Sequence, residues 1–530
     1  MCGFVGSIIP HTSSVLHHRG PDGSGQLATS LSWASVSLEM TRLKIVDQRS
    51  IVVPFTFPYL GIVFAYNGEV YNWRALREEL SDGTPWMTEC DAEVVARAWR
   101  RWGPAALDRF NGMWGMCLVD EREGVVFLAR DRAGEKPLYY APLGQGICFA
   151  SEVKALPIRF EETPCAELET LEFDCLETTP FKDVRRLGPG EYLFLDSPKS
   201  IARPQPKTWW TLSSEVDESM SWARAVDETH ALLVDAIRLR AAAEVPVAVQ
   251  LSGGLDSALI QAVVKSDRLY CVTFPEADNL TAARLASCGR EIKSVTFGLA
   301  DLLEALPKVA WHLDTPATWT AVCQWFMNRQ IAEDGAVVVL SGEGADELFG
   351  GYSRYRALYW LMEMQADQHL EGYHSLCASL FGDILAKMLN RGGDATLAHA
   401  RLLVDIFGGK GDLVQRMSRV DFHTTMACLL RMADTMAAAH SLENRSPFLD
   451  YRVMELAAIM PMRWKVTASE SKAVLREVAR RLGVPGVVVD ERTKKGLFIP
   501  WAAWRGEKGW DRSSFAVAMR EAWRKVFFDG

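Results

Sequence analysis

Cys2, the second residue of the chain, is the side chain with the clearest chemical potential. Removal of Met1, which the small residue after it permits, would leave a free α-amine and a thiol on one residue. An α-amine titrates near pH ~8, so close to neutrality part of it is unprotonated and can take the thiol proton. Cys2 is therefore a candidate nucleophile that needs no separate base. A cysteine at a poorly ordered terminus is the simpler alternative.

A glycine-rich loop, Ser-Gly-Gly-Leu-Asp-Ser at 252–257, lies between a predicted buried strand and a predicted helix. Gly253 and Gly254 let the backbone approach an anion, and serine hydroxyls and helix N-terminal amides can donate hydrogen bonds to phosphate oxygens. Asp256 would repel that anion unless a cation lies between them, and Mg²⁺ favours a carboxylate combined with substrate oxygens. Because the GK[ST] ending of a Walker loop is missing, the loop indicates a different kind of pyrophosphate site.

A second acidic turn, Ser-Gly-Glu-Gly-Ala-Asp-Glu at 341–347, follows another apolar run. Ligands of open α/β sheets bind at the carboxyl ends of the strands. Glu343 and Asp346 therefore lie where a ligand is expected to bind, although acidic residues at such a turn can also simply cap the next helix.

The elements that must position these residues fall into two groups. The first 150 residues predict mainly short strands with tight turns and one helix. The strands are Gly61–Tyr66 before a turn at Asn67-Gly68, Gly124–Ala129 and Gly146–Ala150, and the helix is Asp91–Trp102. Two prolines in Arg203–Thr211 predict a linker.

After the linker the pattern changes to alternating helices and apolar strands, which is typical of a parallel sheet. The predicted elements are the helix Trp222–Ala243 and the strands Val245–Leu251, Leu269–Phe274 and Ala336–Leu340. The stretch Tyr352–Leu482 is expected to be mostly helical.

Composition limits the class of protein. A chain of 530 residues is expected to form at least two domains, and a net charge of -9 argues against a general nucleic-acid binder. We find no apolar run that would span a bilayer and no signal-peptide pattern. Eleven cysteines without CxxC pairs favour reduced thiols. We therefore expect a soluble cytoplasmic protein with no nucleic-acid or membrane partner.

Short motifs spread along the chain together resemble those of glutamine-dependent asparagine synthetases. They are Met1-Cys2-Gly3, His18–Gly23, Arg42-Leu43, Ile45–Asp47, Asn67–Glu69, Tyr71-Asn72, Arg130-Asp131, Lys136–Tyr139, Ser252–Ser257, Leu340–Tyr352, Ser441–Glu443, Arg445 and Pro447–Asp450. Their order and spacing cover nearly the full length.

The resemblance implies a fold class and a domain plan. An α+β N-terminal-nucleophile glutaminase, an αββα sandwich, would occupy residues 1–202, and the linker would be 203–211. Residues 212–530 would form an α/β ATP-pyrophosphatase domain with a helical C-terminal part. The expected partners are small molecules, namely glutamine, ATP and an acid acceptor, and the resemblance allows a homodimer.

In the glutaminase half the resemblance implies that Cys2 forms a glutamyl thioester and releases ammonia. Asn67 and Gly68 would donate to the oxyanion. Arg42 would pair with the glutamine α-carboxylate, and Glu69 and Asp91 with its α-ammonium. The implied glutamine-binding residues are Arg42, Val46, Asn67, Glu69 and Asp91.

In the synthetase half the resemblance implies ATP and Mg²⁺ as cofactors. Asp256 and Asp346 would hold the metal, Glu343 would act as acid or base, and Lys472 would neutralise the α-phosphate. The implied ATP and pyrophosphate ligands are Leu251, Ser252, Gly253, Gly254, Asp256, Ser257, Gly342, Asp346, Tyr352 and Lys472. Lys495 is a weaker phosphate candidate, since a basic surface loop explains it equally well.

Three segments depart from the family pattern. Only about fifteen residues separate Cys2 from His18, so one wall of the glutaminase is shortened. Residues 317–325 carry Trp319, Gln324 and Trp325 where small and hydroxyl residues are expected, and Asn and Ser interrupt 443–447. Aspartate, converted to asparagine, is the expected acceptor, and a larger carboxylic acid from a specialised biosynthetic pathway stays open.

Two other classes fit less well. A cyclase or ligase of the β-lactam-synthetase type would have abandoned glutamine, yet the glutamine-site residues are intact. A non-catalytic nucleotide-binding regulator would not need the complete acidic loops with Asp256, Glu343 and Asp346.

Overall fold

The computed structural model describes residues 2–8, 15–49, 51–163, 179–274, 279–316, 318–356, 359, 412–467, 469–491, 499–505 and 512–528. Residues Ala317 and Lys495, which the sequence singled out, lie outside these ranges. Within them, none of the helices combines the length and the apolar character needed to cross a lipid bilayer.

The first part of the chain forms two six-stranded antiparallel sheets. One has the order β10-β8-β9-β1-β3-β2 and the other the order β12-β11-β7-β6-β5-β4. The strands are β1 Gly3–Ser7, β2 Gly23–Ser30, β3 Ser35–Arg42, β4 Phe55–Phe57, β5 Ile62–Val70, β6 Gly112–Asp120, β7 Val125–Arg130, β8 Tyr139–Leu143, β9 Gly146–Ala150, β10 Arg185–Arg186, β11 Glu191–Leu195 and β12 Lys207–Thr208. The inner faces of the two sheets share one apolar core that contains Phe4, Met40, Phe64 and Leu128.

Helices cover both outer faces of this sandwich, but they come from different parts of the chain. The helices α1 (Trp73–Leu80) and α2 (Asp91–Trp102) pack on the second sheet, where the Trp99 and Phe127 rings lie 4.6 Å apart. The first sheet is covered by residues of the C-terminal half, including Ala310 and Trp523. The expected αββα layering is therefore present. Among the described residues, the second half of the chain provides the layer that covers the first sheet.

The turn predicted at Asn67-Gly68 is wrong, because β5 runs straight through both residues. Asn67 pairs with Gly115 and Gly68 with Trp114 of β6. A Cβ on Gly68 would lie 2.1 Å from the Met113 carbonyl oxygen, so the glycine allows a close approach of two strands instead of a reversal.

The second part of the chain is built on a five-stranded parallel sheet with the order β15-β14-β13-β16-β17. Its strands are β13 Val247–Gln250, β14 Leu269–Val272, β15 Lys293–Val295, β16 Val338–Leu340 and β17 Glu443–Arg445. The two faces of β13 enter separate cores, since Val249 packs in one and Ala248 in the other. Helices on both faces make this a doubly wound α/β sheet, and its parallel strands agree with the predicted α/β domain.

The short helix α3 Pro198–Ala202 packs on the sandwich strands β9 and β11. The helices of the second part begin and end as follows: α4 Trp222–Ala241, α5 Leu255–Val264, α6 Asn279–Ala286, α7 Leu299–Leu313, α8 Trp319–Glu333, α9 Ala345–Phe349, α10 Leu413–His423, α11 Thr425–Ala438, α12 Tyr451–Ile459, α13 Ala473–Arg481, α14 Gly486–Val489, α15 Trp501–Trp504 and α16 Arg512–Phe527. The strand β17 interrupts the stretch predicted as mostly helical. The predicted linker is also partly ordered into the sandwich, because β12 pairs with β11.

Buried ion pairs hold the sandwich against the parallel-sheet half. Asp434 of α11 binds both Arg19 and Lys136, the latter at 2.9 Å, and Glu152 binds Arg19 at 2.7 Å. Farther along the interface Lys154 lies 2.9 Å from Asp314, at the end of α7. All of these side chains are almost completely buried.

Asp434→Ala should lower the stability of the folded protein by about 3–5 kcal/mol, because it removes the carboxylate that two buried cations share. Urea unfolding followed by tryptophan fluorescence measures the effect. Asp490→Ala is the matched control, since Asp490 is an exposed partner of Arg480 and should contribute at most about 1 kcal/mol. An equally small loss for both variants would contradict the role assigned to the Asp434 cluster.

Candidate active sites

Cys2 precedes β1, and its thiol lies at the contact between the two halves of the protein. Burial raises the pKa of the Cys2 thiol, while the amino terminus, the Leu43 backbone and the Arg42 guanidinium act in the opposite direction. Glu443, which belongs to β17 of the other half, is close enough to raise the same pKa. The predicted nucleophile therefore lies in an environment made by both halves.

The Asn67 side chain is the clearest sign of a ligand site near this end of the sandwich. It is completely buried, yet neither its Nδ2 nor its Oδ1 has a hydrogen-bond partner in the described part of the chain. Unpaired buried amides are rare and costly, so a missing ligand is the natural partner. A preorganised N–H donor of this kind is what an oxyanion requires.

Arg42 shapes the loop that follows β3. Its guanidinium donates to the Val46 and Asp47 carbonyls at 3.2 and 2.8 Å and to the Arg49 carbonyl at 3.0 Å. Asp47, at positive φ, in turn accepts from the Glu89 amide at 2.8 Å. Arg42 and Val46 thus belong to one braced loop, and their predicted contacts with glutamine remain predictions.

Glu69 and Asp91 form a buried acidic pair. Asp91 begins α2 and accepts hydrogen bonds from the Tyr66 hydroxyl and the Val70 amide, both at 2.9 Å. Burial raises the pKa of Asp91 to about 6. Burial and the neighbouring Asp91 carboxylate both raise the pKa of Glu69. Two carboxylates that lack enough counter-charge suit an ammonium group between them.

The second site lies at the carboxyl ends of β13 and β16, where the sequence placed both acidic loops. Gly253 adopts φ +80°, and a Cβ there would lie 2.6 Å from the Ala282 backbone, so only glycine fits this turn. Ser252 and Ser257 hydroxyls lie 3.2 Å apart at the start of α5. The loop has the backbone shape and donors of an anion cradle.

Lys472 joins the two loops. Its Nζ lies 2.6 Å from Asp256 and 2.7 Å from Asp346. Burial lowers the pKa of Lys472 and the two carboxylates raise it, with a net rise to about 12. Asp256, Asp346 and Lys472, which are far apart in the sequence, therefore lie together in one site.

Asp256 and Asp346 alone do not complete the coordination of a Mg²⁺ ion, which would also need oxygen ligands from a substrate. The described residues contain no group of three or more His, Cys, Asp or Glu side chains that could hold a metal by themselves. Two carboxylates at strand ends, open to a cavity, leave the remaining coordination positions to phosphate oxygens and water, as Mg²⁺ prefers.

A cavity of about 660 Å³ opens at these strand ends. It contains all of the predicted synthetase residues, namely Leu251, Ser252, Gly253, Gly254, Asp256, Ser257, Gly342, Glu343, Asp346, Tyr352 and Lys472. Burial raises the pKa of the Glu343 carboxyl, and the hydroxyls of Ser341 and Ser446 act in the opposite direction. The buried Oε2 of Glu343 has no hydrogen-bond partner among the described residues.

The cavity also includes residues that sequence reasoning missed. Gln250, Tyr270, Leu429 and Arg476 line it without belonging to a quoted motif, and Glu347, the last residue of the second acidic turn, lines it although no role was predicted for it. Of the first four, only Gln250 carried a signal, since it is the last strand residue before the glycine-rich loop.

The two tryptophans of the divergent segment have different places. Trp319, the first residue of α8, lines the cavity together with Gln324. Trp325 packs against the ring of His440 at 4.4 Å and that of His312 at 5.4 Å, in the core. Of the two residues that the sequence offered for an acceptor pocket, only Trp319 reaches the cavity.

The fold and the paired sites define a class of protein: a glutamine amidotransferase joined to an ATP-dependent ligase. Residues 1–210 match the glutamine amidotransferase domain family, and residues 228–520 match the asparagine synthase family. The chain belongs to the asparagine synthase family.

Relatives support the same class over nearly the whole chain. Glutamine-hydrolyzing asparagine synthetase 1 of Bacillus subtilis is 28% identical over 95% of this chain and 88% of its own length. Asparagine synthetase 3 of the same organism is 28% identical over 90% of this chain and 84% of its own. A protein named amidase chry2 from Gibberella zeae is 26% identical, over 93% and 85%. The protein is thus an asparagine synthetase-like, glutamine-dependent amidotransferase that uses ATP.

Glutamine should bind more weakly as the pH falls through about 6, because protonation of Asp91, whose pKa burial raises to about 6, removes a charge that attracts the α-ammonium. Calorimetry on a Cys2→Ser variant separates binding from turnover. Below the pKa the dissociation constant should rise about tenfold per pH unit.

Asp91→Asn in the same background should weaken binding at pH 7 and flatten this dependence. A dissociation constant that is equal at pH 7 and pH 5 in the Cys2→Ser protein would argue against the ammonium role of the pair.

Proposed function

We propose that the protein amidates a carboxylic acid, using glutamine as the nitrogen source and ATP to activate the acid. The observation that carries the proposal is the meeting of Asp256, Asp346 and Lys472 in one cavity at the ends of β13 and β16. A carboxylate is a poor electrophile, and this arrangement suits its conversion to an acyl-adenylate with pyrophosphate as leaving group.

In the first reaction Cys2 attacks the side-chain carbonyl of glutamine. The α-amine exposed by removal of Met1 takes the thiol proton, and ammonia leaves as the thioester forms. Asn67 and Gly68 donate to the oxyanion, Arg42 and the Val46 loop hold the α-carboxylate, and water then releases glutamate. The unpaired amide of Asn67 supports its role.

In the second reaction the acceptor carboxylate attacks the α-phosphorus of ATP and displaces pyrophosphate. Mg²⁺, held by Asp256 and Asp346, would neutralise the phosphate charge. Lys472 stabilises the α-phosphate, and the loop 252–257 cradles the pyrophosphate, with Leu251, Gly342 and Tyr352 completing the site. Ammonia then attacks the acyl carbon, AMP leaves, and Glu343 takes the surplus proton.

Two acceptors are candidates. Family membership favours aspartate, which would give asparagine. A larger carboxylic acid is favoured by a specific observation, since Trp319 and Gln324 line the cavity. Pyrophosphate release from ATP in the presence of glutamine, measured over a panel of acids, decides between them.

We also propose a cytoplasmic location, because the described cysteines, including the exposed Cys288, are all free thiols. A homodimer remains a prediction from the family resemblance.

Cys2→Ala should abolish glutamine hydrolysis and leave amide formation from added ammonium salts. The reason is that Cys2 serves only the supply of nitrogen. Glutamate production and ammonium-dependent pyrophosphate release are measured on the same folded sample. Loss of the ammonium-dependent reaction in that sample would refute the separation of roles.

Asp346→Asn should reduce ATP-dependent pyrophosphate release by about 10²-fold or more, with glutamine hydrolysis retained. It removes one carboxylate from the proposed metal pair and leaves the fold of the sandwich untouched. Asp490→Asn, in an exposed ion pair, is the control. Near wild-type AMP production by the Asp346 variant would show that the metal assignment is wrong.

A further inference from the structure

The wall of the synthetase cavity is rich in negative charge. Among its described residues the acidic side chains are Asp256, Glu343, Asp346, Glu347 and Glu491, and the basic ones are Lys472 and Arg476. ATP brings further negative charge, which Mg²⁺ only partly balances. An acceptor with an extra carboxylate would therefore meet repulsion unless a cation is placed for it.

Both of these cations are already engaged by the protein. Lys472 is shared by two carboxylates and, in the reaction proposed above, is used by the α-phosphate of ATP. Arg476, only 5% exposed, donates from Nε to the Ser471 carbonyl at 2.8 Å and from Nη1 to the Val489 carbonyl. On the described part of the cavity wall, neither Lys472 nor Arg476 is therefore available to pair with a second carboxylate of the acceptor.

The helix α8 offers apolar and neutral polar groups instead. Trp319 and Met327 line the cavity from this helix, and Leu429 lines it from α11. Gln324, 6% exposed, lines the same cavity, and its Oε1 has no hydrogen-bond partner within the described part of the chain. An ionised carboxylate has only acceptors and cannot satisfy this carbonyl, whereas an N–H or O–H group can. The α-ammonium of a dicarboxylic amino acid is also such a donor, but its second carboxylate would then lie against the acidic wall without a cation.

Resting on the acyl-adenylate chemistry proposed above, we propose that the acceptor is a monocarboxylic acid with an apolar, ring-sized body and a neutral hydrogen-bond donor. The body packs on Trp319, the donor reaches Gln324, and the only carboxylate is the one that ATP activates. Trp319 and Gln324 are then the residues that determine acceptor specificity, and dicarboxylic amino acids are poor substrates.

Pyrophosphate release with ATP, Mg²⁺ and glutamine tests this with four acids. Phenylacetate and 4-hydroxyphenylacetate represent the proposed class, and succinate and aspartate represent the dicarboxylates. We expect kcat/KM for 4-hydroxyphenylacetate to exceed that for aspartate at least ~tenfold, the size of effect that pocket complementarity produces.

Two variants test whether the cavity residues Trp319 and Gln324 cause this preference among the acids. Trp319→Arg adds a cation, and should lower kcat/KM for the phenyl acids and raise it for aspartate, with glutamine hydrolysis unchanged. Gln324→Leu should erase the advantage of 4-hydroxyphenylacetate over phenylacetate. Trp325→Phe, on the same helix but in the core, is the matched control and should change neither preference.

A higher kcat/KM for aspartate than for both phenyl acids, unaltered in Trp319→Arg, would overturn the inference and leave the proposed ligation intact. Absence of pyrophosphate release with all four acids, alongside intact glutamine hydrolysis, would overturn both.

Discussion

The buried ion pairs between the sandwich and the parallel-sheet half are the constraint on which the two-site arrangement depends. Arg19, Lys136, Glu152 and Asp434 are all at most 2% exposed. Removing such charges from water is costly, and the cost is offset only when each finds its partner in good geometry. Because Asp434 belongs to the parallel-sheet half and its partners Arg19 and Lys136 belong to the sandwich, the interface tolerates little sliding, and the two sites keep a fixed relation.

The strand β17 lies between the two sites. Glu443 at its start influences the Cys2 thiol, while Ser446, just beyond its end, lies 3.4 Å from Ser341 beside Glu343. A three-residue strand spans only about 10 Å. Unprotonated ammonia is scarce in neutral water, so a short protected route preserves it. In the proposed reaction, the edge strand of the parallel sheet therefore lies between the nitrogen source and the place where the acyl-adenylate would form.

The sequence predicted those parts of the sites that depend on local chemistry. The loop 252–257 needs glycine at positive φ, and α2 follows its amphipathic pattern, so both could be read from neighbouring residues. Non-local contacts could not be read in this way. The turn predicted at Asn67-Gly68 failed because pairing with β6 outweighed the local turn preference of that dipeptide. The electrostatic influence of Glu443 on the Cys2 thiol joins residues that are far apart in the chain, and no local pattern encodes it.

The difference between Trp319 and Trp325 shows why the acceptor is the least predictable part of such a protein. The phosphate-binding groups come from strand ends and glycine turns, where the backbone leaves few alternatives. The acceptor wall instead uses one face of α8, and six residues of helix rotate a side chain by well over one turn, from cavity to core. Substitutions on that face change what the cavity accepts without moving Asp256, Asp346 or Lys472. The chemistry of activation can therefore stay constant while the acid that is activated changes.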